Sequence, residues 1–324
     1  MIIPKRISVA NIPTPIEKIK FDGKPFLIKR DDLTGVELSG NKVRKLEYLI
    51  YQAKKEKSDY IFTTGGDQSN HARATVIAAA KYGMKSKLFL WGKDSGNADG
   101  NLFIDKFLGA EIFFLSKNSF ENVNQIMSEE RAKLTKQSKK VFVIPEGGST
   151  TLGIWGYINF IEELKTQIEI KKLQGIFAAS GSGGTAAGLL VGTALLNLNL
   201  KIFAVNVLYS KEKIKKRIID LAEGCVLDYK LPCKIREDNL EIVDGYSTEG
   251  YKNIDDNKLT LIKRFASESG IILDPAYTGK AFTGYYENIL NRNMGKKILF
   301  LHTGGIFGVF GKRGKYLSID LRRF

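Results

Sequence analysis

The chain has 324 residues, enough for about two domains at roughly 150 residues each, and 43% of them are hydrophobic against 26% charged, which excludes a disordered protein and a small stapled one. Two cysteines (Cys225, Cys233) and two histidines (His71, His302) exclude a His/Cys metal cluster and a disulfide framework, and unpaired thiols fit a reducing compartment. Fifty Lys+Arg against 35 Asp+Glu give a net charge of +15, yet the lysines are scattered and the densest cluster, Lys211 to Arg217, contains Glu212 and no aromatic residue, so the balance suits anionic small molecules better than a nucleic acid.

The first fifteen residues carry prolines at 4, 13 and 15 and no apolar run of signal-peptide length, which points to the cytoplasm. Beyond them, short apolar runs alternate with longer stretches of 3.6-residue period, the pattern of an α/β fold with mostly parallel strands. Strands are predicted at Phe26–Lys29, Tyr60–Thr63, Ser86–Leu90, Glu111–Phe114, Val141–Ile144, Gly175–Ala178, Ile202–Val207 and Ile298–His302. A helix begins near Asn41, where Val43, Leu46, Ile50 and Ala53 recur on one face that should be core while the charged residues face elsewhere. A second starts at Asn70 and runs toward Gly83 as its stop signal. Leu173 to Leu200 is uncharged and long enough for a membrane span, but Ser180 to Thr185 interrupts it, so a strand, a polar glycine loop and a buried helix are expected instead. Residues 48–154 form the expected smaller domain, and 1–47 plus 155–324 a larger, discontinuous one.

Three places between strands and helices could carry chemistry. Ser180-Gly181-Ser182-Gly183-Gly184-Thr185 has the glycines, hydroxyls and helix-start amides that suit a phosphate; a tight turn without a ligand would look the same. Ser69-Asn70-His71 offers donors at a helix N-terminus where a small carboxylate would dock, in competition with simple capping. Lys42 and Lys45 lie three apart at a helix start, where dipole complementarity would not put a cation; they are either solvated or held there by something. A lysine, a phosphate cradle and a carboxylate cradle on one α/β scaffold are the equipment of a pyridoxal-phosphate enzyme acting on an amino acid.

In that light the motifs IKRDDLTG, SGNKVRKLEYL, TGGDQSNHAR, IPEGGSTTLGIWGY, ASGSGGTAAG, LDPAYTGKA and LHTGG resemble, almost end to end, the fold-type-II pyridoxal-phosphate enzymes of the group holding D-cysteine desulfhydrase and 1-aminocyclopropane-1-carboxylate deaminase. The resemblance implies two open, twisted, mostly parallel sheets flanked by helices, as in the tryptophan synthase β fold, a small amino-acid substrate, no nucleic-acid or membrane partner, and a homodimer. It implies that Lys42 forms the internal Schiff base, that Asn70 hydrogen-bonds the pyridoxal hydroxyl, and that Ser180, Gly181, Ser182, Gly183, Gly184 and Thr185 hold the phosphate with Lys45. Gln68, Ser69, Asn70 and His71 would orient the substrate carboxylate. Ser69, Tyr277 and, more weakly matched, Tyr246 would join Lys42 in catalysis.

In the deaminases the positions of Thr278 and Thr303 carry glutamate and leucine, so the threonines here match the desulfhydrases. A carboxylate beside the pyridine nitrogen favours the protonated ring that cyclopropane opening demands; a hydroxyl does so much less, and expulsion of a thiolate needs less electron withdrawal. The expected reaction is β-elimination from D-cysteine, with Lys42 removing the Cα proton, sulfide leaving Cβ, and pyruvate and ammonia as products. Alternatives are the cyclopropane deaminase, a lyase for another β-substituted amino acid such as L-cysteate, and a non-catalytic binder of the same fold.

Overall fold

Asp22 and Gly23 both take positive φ (52° and 71°), as the two central residues of a type I′ turn must, and fold β1 (Ile16–Phe21) onto β2 (Lys24–Arg30) as an antiparallel hairpin. The computed structural model describes every residue except 95, 97, 252 and 320–324. After the hairpin come α1 (Asn41–Lys55), β3 (Tyr60–Gly66), α2 (Asn70–Lys81), β4 (Lys85–Trp91), α3 (Gly100–Phe107), β5 (Glu111–Leu115), α4 (Lys117–Glu121), α5 (Val123–Lys136) and β6 (Val141–Ile144). The chain continues through α6 (Trp155–Gln167), β7 (Gly175–Ser180), α7 (Gly184–Leu195), β8 (Lys201–Asn206), α8 (Lys211–Asp228) and β9 (Leu240–Val243). It ends with α9 (Asp256–Ser269), α10 (Thr278–Asn288), β10 (Ile298–His302), α11 (Phe307–Phe310) and α12 (Arg313–Ser318).

Two sheets result. The larger has the order β1-β2-β10-β7-β8-β9 and is parallel except for β1; the smaller has the order β5-β4-β3-β6 and is wholly parallel. All eight predicted strands are present, and β1 and β9, which were not predicted, are the two edges of the larger sheet. The uncharged stretch from Leu173 resolves into β7, a turn and α7, and among the described residues no helix is long and apolar enough to cross a membrane.

Period-2 alternation gives the larger sheet two apolar faces, as a parallel sheet with helices on both sides requires. Ile176, Ala178, Leu299 and Leu301 face the core built by α6, α7 and α8, while Phe177, Ala179, Ile298 and Phe300 face the aromatic core of α9 and α10. The smaller sheet buries Ile61 and Ile144 against α1 and α2, and Phe62 and Phe89 against α5.

Helix α1 differs from its expected one-sided pattern. Arg44, Lys45 and Glu47 are as buried as Val43 and Leu46. They are tolerated because each has a partner: Arg44 binds Asp31 (2.8 Å) and Glu163 (2.7 Å), Lys45 donates to the carbonyl of Gly147 (3.2 Å), and Glu47 accepts the backbone amides of Val9 and Ala10 at 2.9 Å. The expected boundary at residue 48 falls inside this helix, which packs on both α2 and α6.

Candidate active site

In open parallel sheets ligands bind beyond the carboxyl ends of the strands. Here such ends converge: the turns after β3, β6, β7 and β10 surround one cavity, lined also by Lys42 and Lys45 of α1.

Lys42 reaches this cavity because two backbone segments touch. A Cβ on Gly40 (φ 92°) would lie 2.8 Å from the carbonyl oxygen of Thr303, and one on Gly304 (φ 89°) would lie 2.7 Å from Gly40 Cα, so only glycine allows the start of α1 to rest on the turn after β10. Asn41 N–H then donates to Thr303 O at 3.0 Å. Lys42 Nζ donates to Asn41 Oδ1 (2.9 Å) and stands 5.7 Å from the centre of the Tyr277 ring. Burial draws its pKa down to about 8, with Asp274 and Glu146 pulling upward and Arg73 adding to the depression. Lys45, one helical turn on, donates to Gly147 O (3.2 Å); burial, followed by the nearby Lys42, holds it well below the ordinary lysine value.

The turn from Ser180 to Thr185 wraps the N-terminus of α7, whose first N–H groups have no partner within the helix. A Cβ on Gly184 would come within 2.7 Å of Lys45 Nζ, and one on Gly181 within 2.9 Å of the Tyr277 ring, so this turn is walled by a cation on one side and an aromatic ring on the other. Ser182 Oγ meets Ser149 Oγ at 2.8 Å, and Asn41 Nδ2 donates to Thr185 Oγ1 at 3.0 Å.

Across the cavity Ser69 caps α2, its Oγ accepting from Ala72 N at 3.1 Å, and Ser69, Asn70 and His71 all line the space. The capping role and the site position therefore coincide. His71 Nε2 pairs with Thr63 Oγ1 at 2.9 Å; burial first, then Lys42 and Lys45, push the imidazole well below its ordinary pKa, so it stays neutral.

Three expected site residues lie elsewhere. Tyr246 sits in the aromatic core of α9 and α10, packed against Gly284, with its hydroxyl bound to Glu287. The turn at Gly245 (φ 95°) sends its ring down onto α10, where the missing side chain at 284 leaves room. Five residues later Tyr251 lines the cavity, its ring edge-on to Tyr277 (5.5 Å) and to Trp91 (5.9 Å). Gln68 is not among the lining residues: its Nε2 donates to Asp99 O and its Oε1 accepts from Asn101 N, both at 3.0 Å. The Thr278 hydroxyl is spent on Asp274 Oδ1 (2.7 Å) in the turn before α10, whereas Thr303 does line the cavity. Glu146, Leu208, Trp91 and Tyr251 complete the wall and were not singled out from sequence; the position of Trp91 at the end of a parallel strand was a usable signal.

The family model described as pyridoxal-phosphate dependent enzyme matches residues 7–304. A Thermotoga maritima protein provisionally named 1-aminocyclopropane-1-carboxylate deaminase is 42% identical over 95% of this chain and 98% of its own. A mitochondrial protein of Arabidopsis thaliana, named bifunctional D-cysteine desulfhydrase/1-aminocyclopropane-1-carboxylate deaminase, is 36% identical over 96% of this chain and 81% of its own. The crystal structure of an ACC deaminase homologue superposes with a TM-score of 0.89 at 36% identity, covering 97% of this chain and 96% of the other.

The residues present fit a pyridoxal phosphate. Among the described residues Ser180 Oγ is buried without a hydrogen-bond partner in the cradle of small residues, the amides of α7 and the amine of Lys45 are aimed at the same space, and the amine of Lys42 faces it from α1.

Proposed function

Because the chain belongs to the pyridoxal-phosphate-dependent enzymes, in the group of D-cysteine desulfhydrase and 1-aminocyclopropane-1-carboxylate deaminase, we propose that this lyase acts on D-cysteine, releasing sulfide, pyruvate and ammonia. Ser180 to Thr185 and Lys45 would hold the cofactor phosphate, Asn70 its ring hydroxyl, and Lys42 its aldehyde carbon. The bound cofactor supplies an electron sink for negative charge developing at the substrate Cα.

The chain's own groups divide the remaining work by their protonation. Lys42, at about 8, has a sizeable neutral fraction near neutral pH and is the amine that takes the Cα proton. Burial, with Tyr251 beside it, raises Tyr277 well above its ordinary value, and burial raises Tyr251 too, so both hydroxyls stay protonated and serve as donors near the leaving sulfur. The N-terminus of α2, with Ser69 and Asn70, orients the substrate carboxylate. With that carboxylate fixed, the Cβ–S bond breaks as the Cα proton leaves, and the released 2-aminoacrylate hydrolyses to pyruvate and ammonia.

The observation that carries the choice of substrate is Thr278, at the position where the deaminases carry glutamate. It is a neutral hydroxyl, and among the described lining residues the only carboxylate is Glu146, which accepts from Tyr209 at 2.8 Å. Such a wall supports elimination of a good leaving group over opening of a carbon ring. The names of the Thermotoga and Arabidopsis relatives favour the second reading, deamination of 1-aminocyclopropane-1-carboxylate. Sulfide, pyruvate and 2-oxobutanoate are to be measured in parallel with D-cysteine, L-cysteine, L-cysteate and the cyclopropane amino acid. Sulfide and pyruvate from D-cysteine support the proposal; 2-oxobutanoate from the cyclopropane substrate without sulfide from D-cysteine defeats it.

A further inference from the structure

Asn101, in the first turn of α3, is fully buried and lies outside the set of residues lining the cavity, yet every hydrogen-bonding atom of its side chain is engaged. Its Oδ1 accepts from Arg73 Nε at 2.8 Å, and its Nδ2 donates both to Asn70 Oδ1 and to Gln68 O at 3.0 Å.

These contacts have only one consistent assignment of oxygen and nitrogen. A guanidinium has donors and no acceptor, so the atom of Asn101 that faces Arg73 must be the oxygen. The amide nitrogen of Asn101 must then face Asn70, and the atom of Asn70 it meets must be an oxygen. Asn70 is thereby forced to turn its own NH2 the other way. That Nδ2 lies beside the turn after β10, 2.9 Å from where a Cβ on Gly305 would be, and no hydrogen bond among the described residues uses it.

The anchor of this relay is itself fixed. Arg73 is fully buried; it donates to the carbonyl of Glu37 and to that of Ser39 (3.1 Å), both just ahead of α1, and lies 4.7 Å from the Phe307 ring centre. Burial draws its pKa to about 10 against the pull of Asp105, so it remains a cation, and a donor only, at neutral pH.

We propose that Asn101, held by Arg73, is a positioning residue that keeps Asn70 presenting its amide donors to the ring oxygen of the bound pyridoxal cofactor. The proposal rests on the placement of that ring beside Asn70 given above. Its chemical consequence is specific: a fixed donor favours the ionised ring oxygen over the protonated one.

The test is Asn101→Asp. A carboxylate of the same shape still accepts from Arg73 but cannot donate to Asn70, so the Asn70 amide turns over and brings its oxygen to the cofactor. The visible absorption of the loaded wild-type and variant proteins is titrated with pH, with thermal unfolding as the check on folding. The ionisable groups that line the cavity, Lys42, Lys45, His71, Glu146, Tyr251 and Tyr277, are the same in both proteins. In the variant the spectral midpoint should rise by about one unit, a tenfold change in the protonation equilibrium. The same substitution in an Asn70→Ala background should add nothing, since the effect passes through Asn70. If Asn101→Asp does not fold, Asn101→Ala removes the same donor and should move the midpoint the same way. An unchanged midpoint in a folded, loaded variant, or an equal shift without Asn70, overturns the proposal. A wild-type protein that shows no visible band after loading overturns the cofactor placement and the proposal together.

Discussion

The amine of Lys42 should be chemically available at a pH where an ordinary lysine is not. At a pKa of about 8 roughly one-tenth of it is neutral at pH 7, whereas at the ordinary 10.5 only about one part in 3,000 would be, an increase on the order of 300-fold. The assay is a brief pulse of an amine-acylating reagent on protein freed of cofactor, from pH 6 to 10.5, with the modified lysines counted by peptide mass spectrometry. Labelling of Lys42 should rise with a midpoint near 8. Glu146→Gln removes a charge that holds the amine up and should move that midpoint lower. The same shift affects stability. Below about 8 the folded and unfolded chains both carry the proton, and the cost of enclosing the charge is present in full. Between about 8 and 10.5 the unfolded chain still binds a proton that the folded one has released, so stability rises with pH across that window. Lys42→Met should lack this rise in a comparison of urea midpoints. A labelling midpoint of 10 or above, or one indifferent to Glu146→Gln, would refute the idea that burial and these carboxylates set the amine.

Tyr251→Phe should lower kcat/KM for the accepted substrate by tenfold or more, whereas Tyr246→Phe should leave it within about twofold, since Tyr251 lines the cavity and Tyr246 faces α10; initial rates under identical cofactor loading decide. Arg44→Met leaves buried Asp31 short of its main partner and should cost about 3–5 kcal/mol in urea unfolding. Gly304→Ala puts a Cβ against Gly40 at a positive φ and should cost about 1–3 kcal/mol while weakening cofactor retention on dialysis.

What was legible in the sequence follows burial. The interior parallel strands are covered on both faces and appear as continuous apolar runs, so Tyr60–Thr63, Gly175–Ala178 and Ile298–His302 were found at or within a few residues of their observed ends. The two edge strands of the larger sheet were not. β1 (IEKIKF) and β9 (LEIV) carry Lys18, Lys20 and Glu241 as edges do, and half-polar runs of four to six residues look like loops; only the Asp22-Gly23 turn announced the hairpin. The site shows the same division. The turns at 69–71 and 180–185 stand out because glycines and hydroxyls sit between a strand and a helix. Tyr251 lies on an irregular segment where no periodicity tells which of two tyrosines five residues apart turns inward, and the difference is made by a tertiary fact, the space beside Gly284 that takes Tyr246. The buried charges of α1 were illegible for a related reason, since their partners at positions 31 and 163 come from distant parts of the chain.

The cavity lies between two sheets with separate cores, and many of the ties between them around it are polar. Arg73 of α2 binds the carbonyls of residues 37 and 39, Lys45 binds Gly147 O, Ser149 meets Ser182, and Tyr209 binds Glu146. Apolar contact is non-directional and would draw the two bodies together until the space closed. Hydrogen bonds to fixed carbonyls and hydroxyls hold to within a few tenths of an ångström and leave the gap at a set width. Because the segment carrying Lys42 is itself one of the parts tied down, through Ser39 and the Gly40–Gly304 contact, the distance from the amine to the N-terminus of α2 is set by the same bonds that keep the cavity open. Loss of one such tie should therefore alter the alignment of the reacting groups before it alters the fold, and kcat should respond to Arg73→Lys more steeply than the unfolding midpoint does.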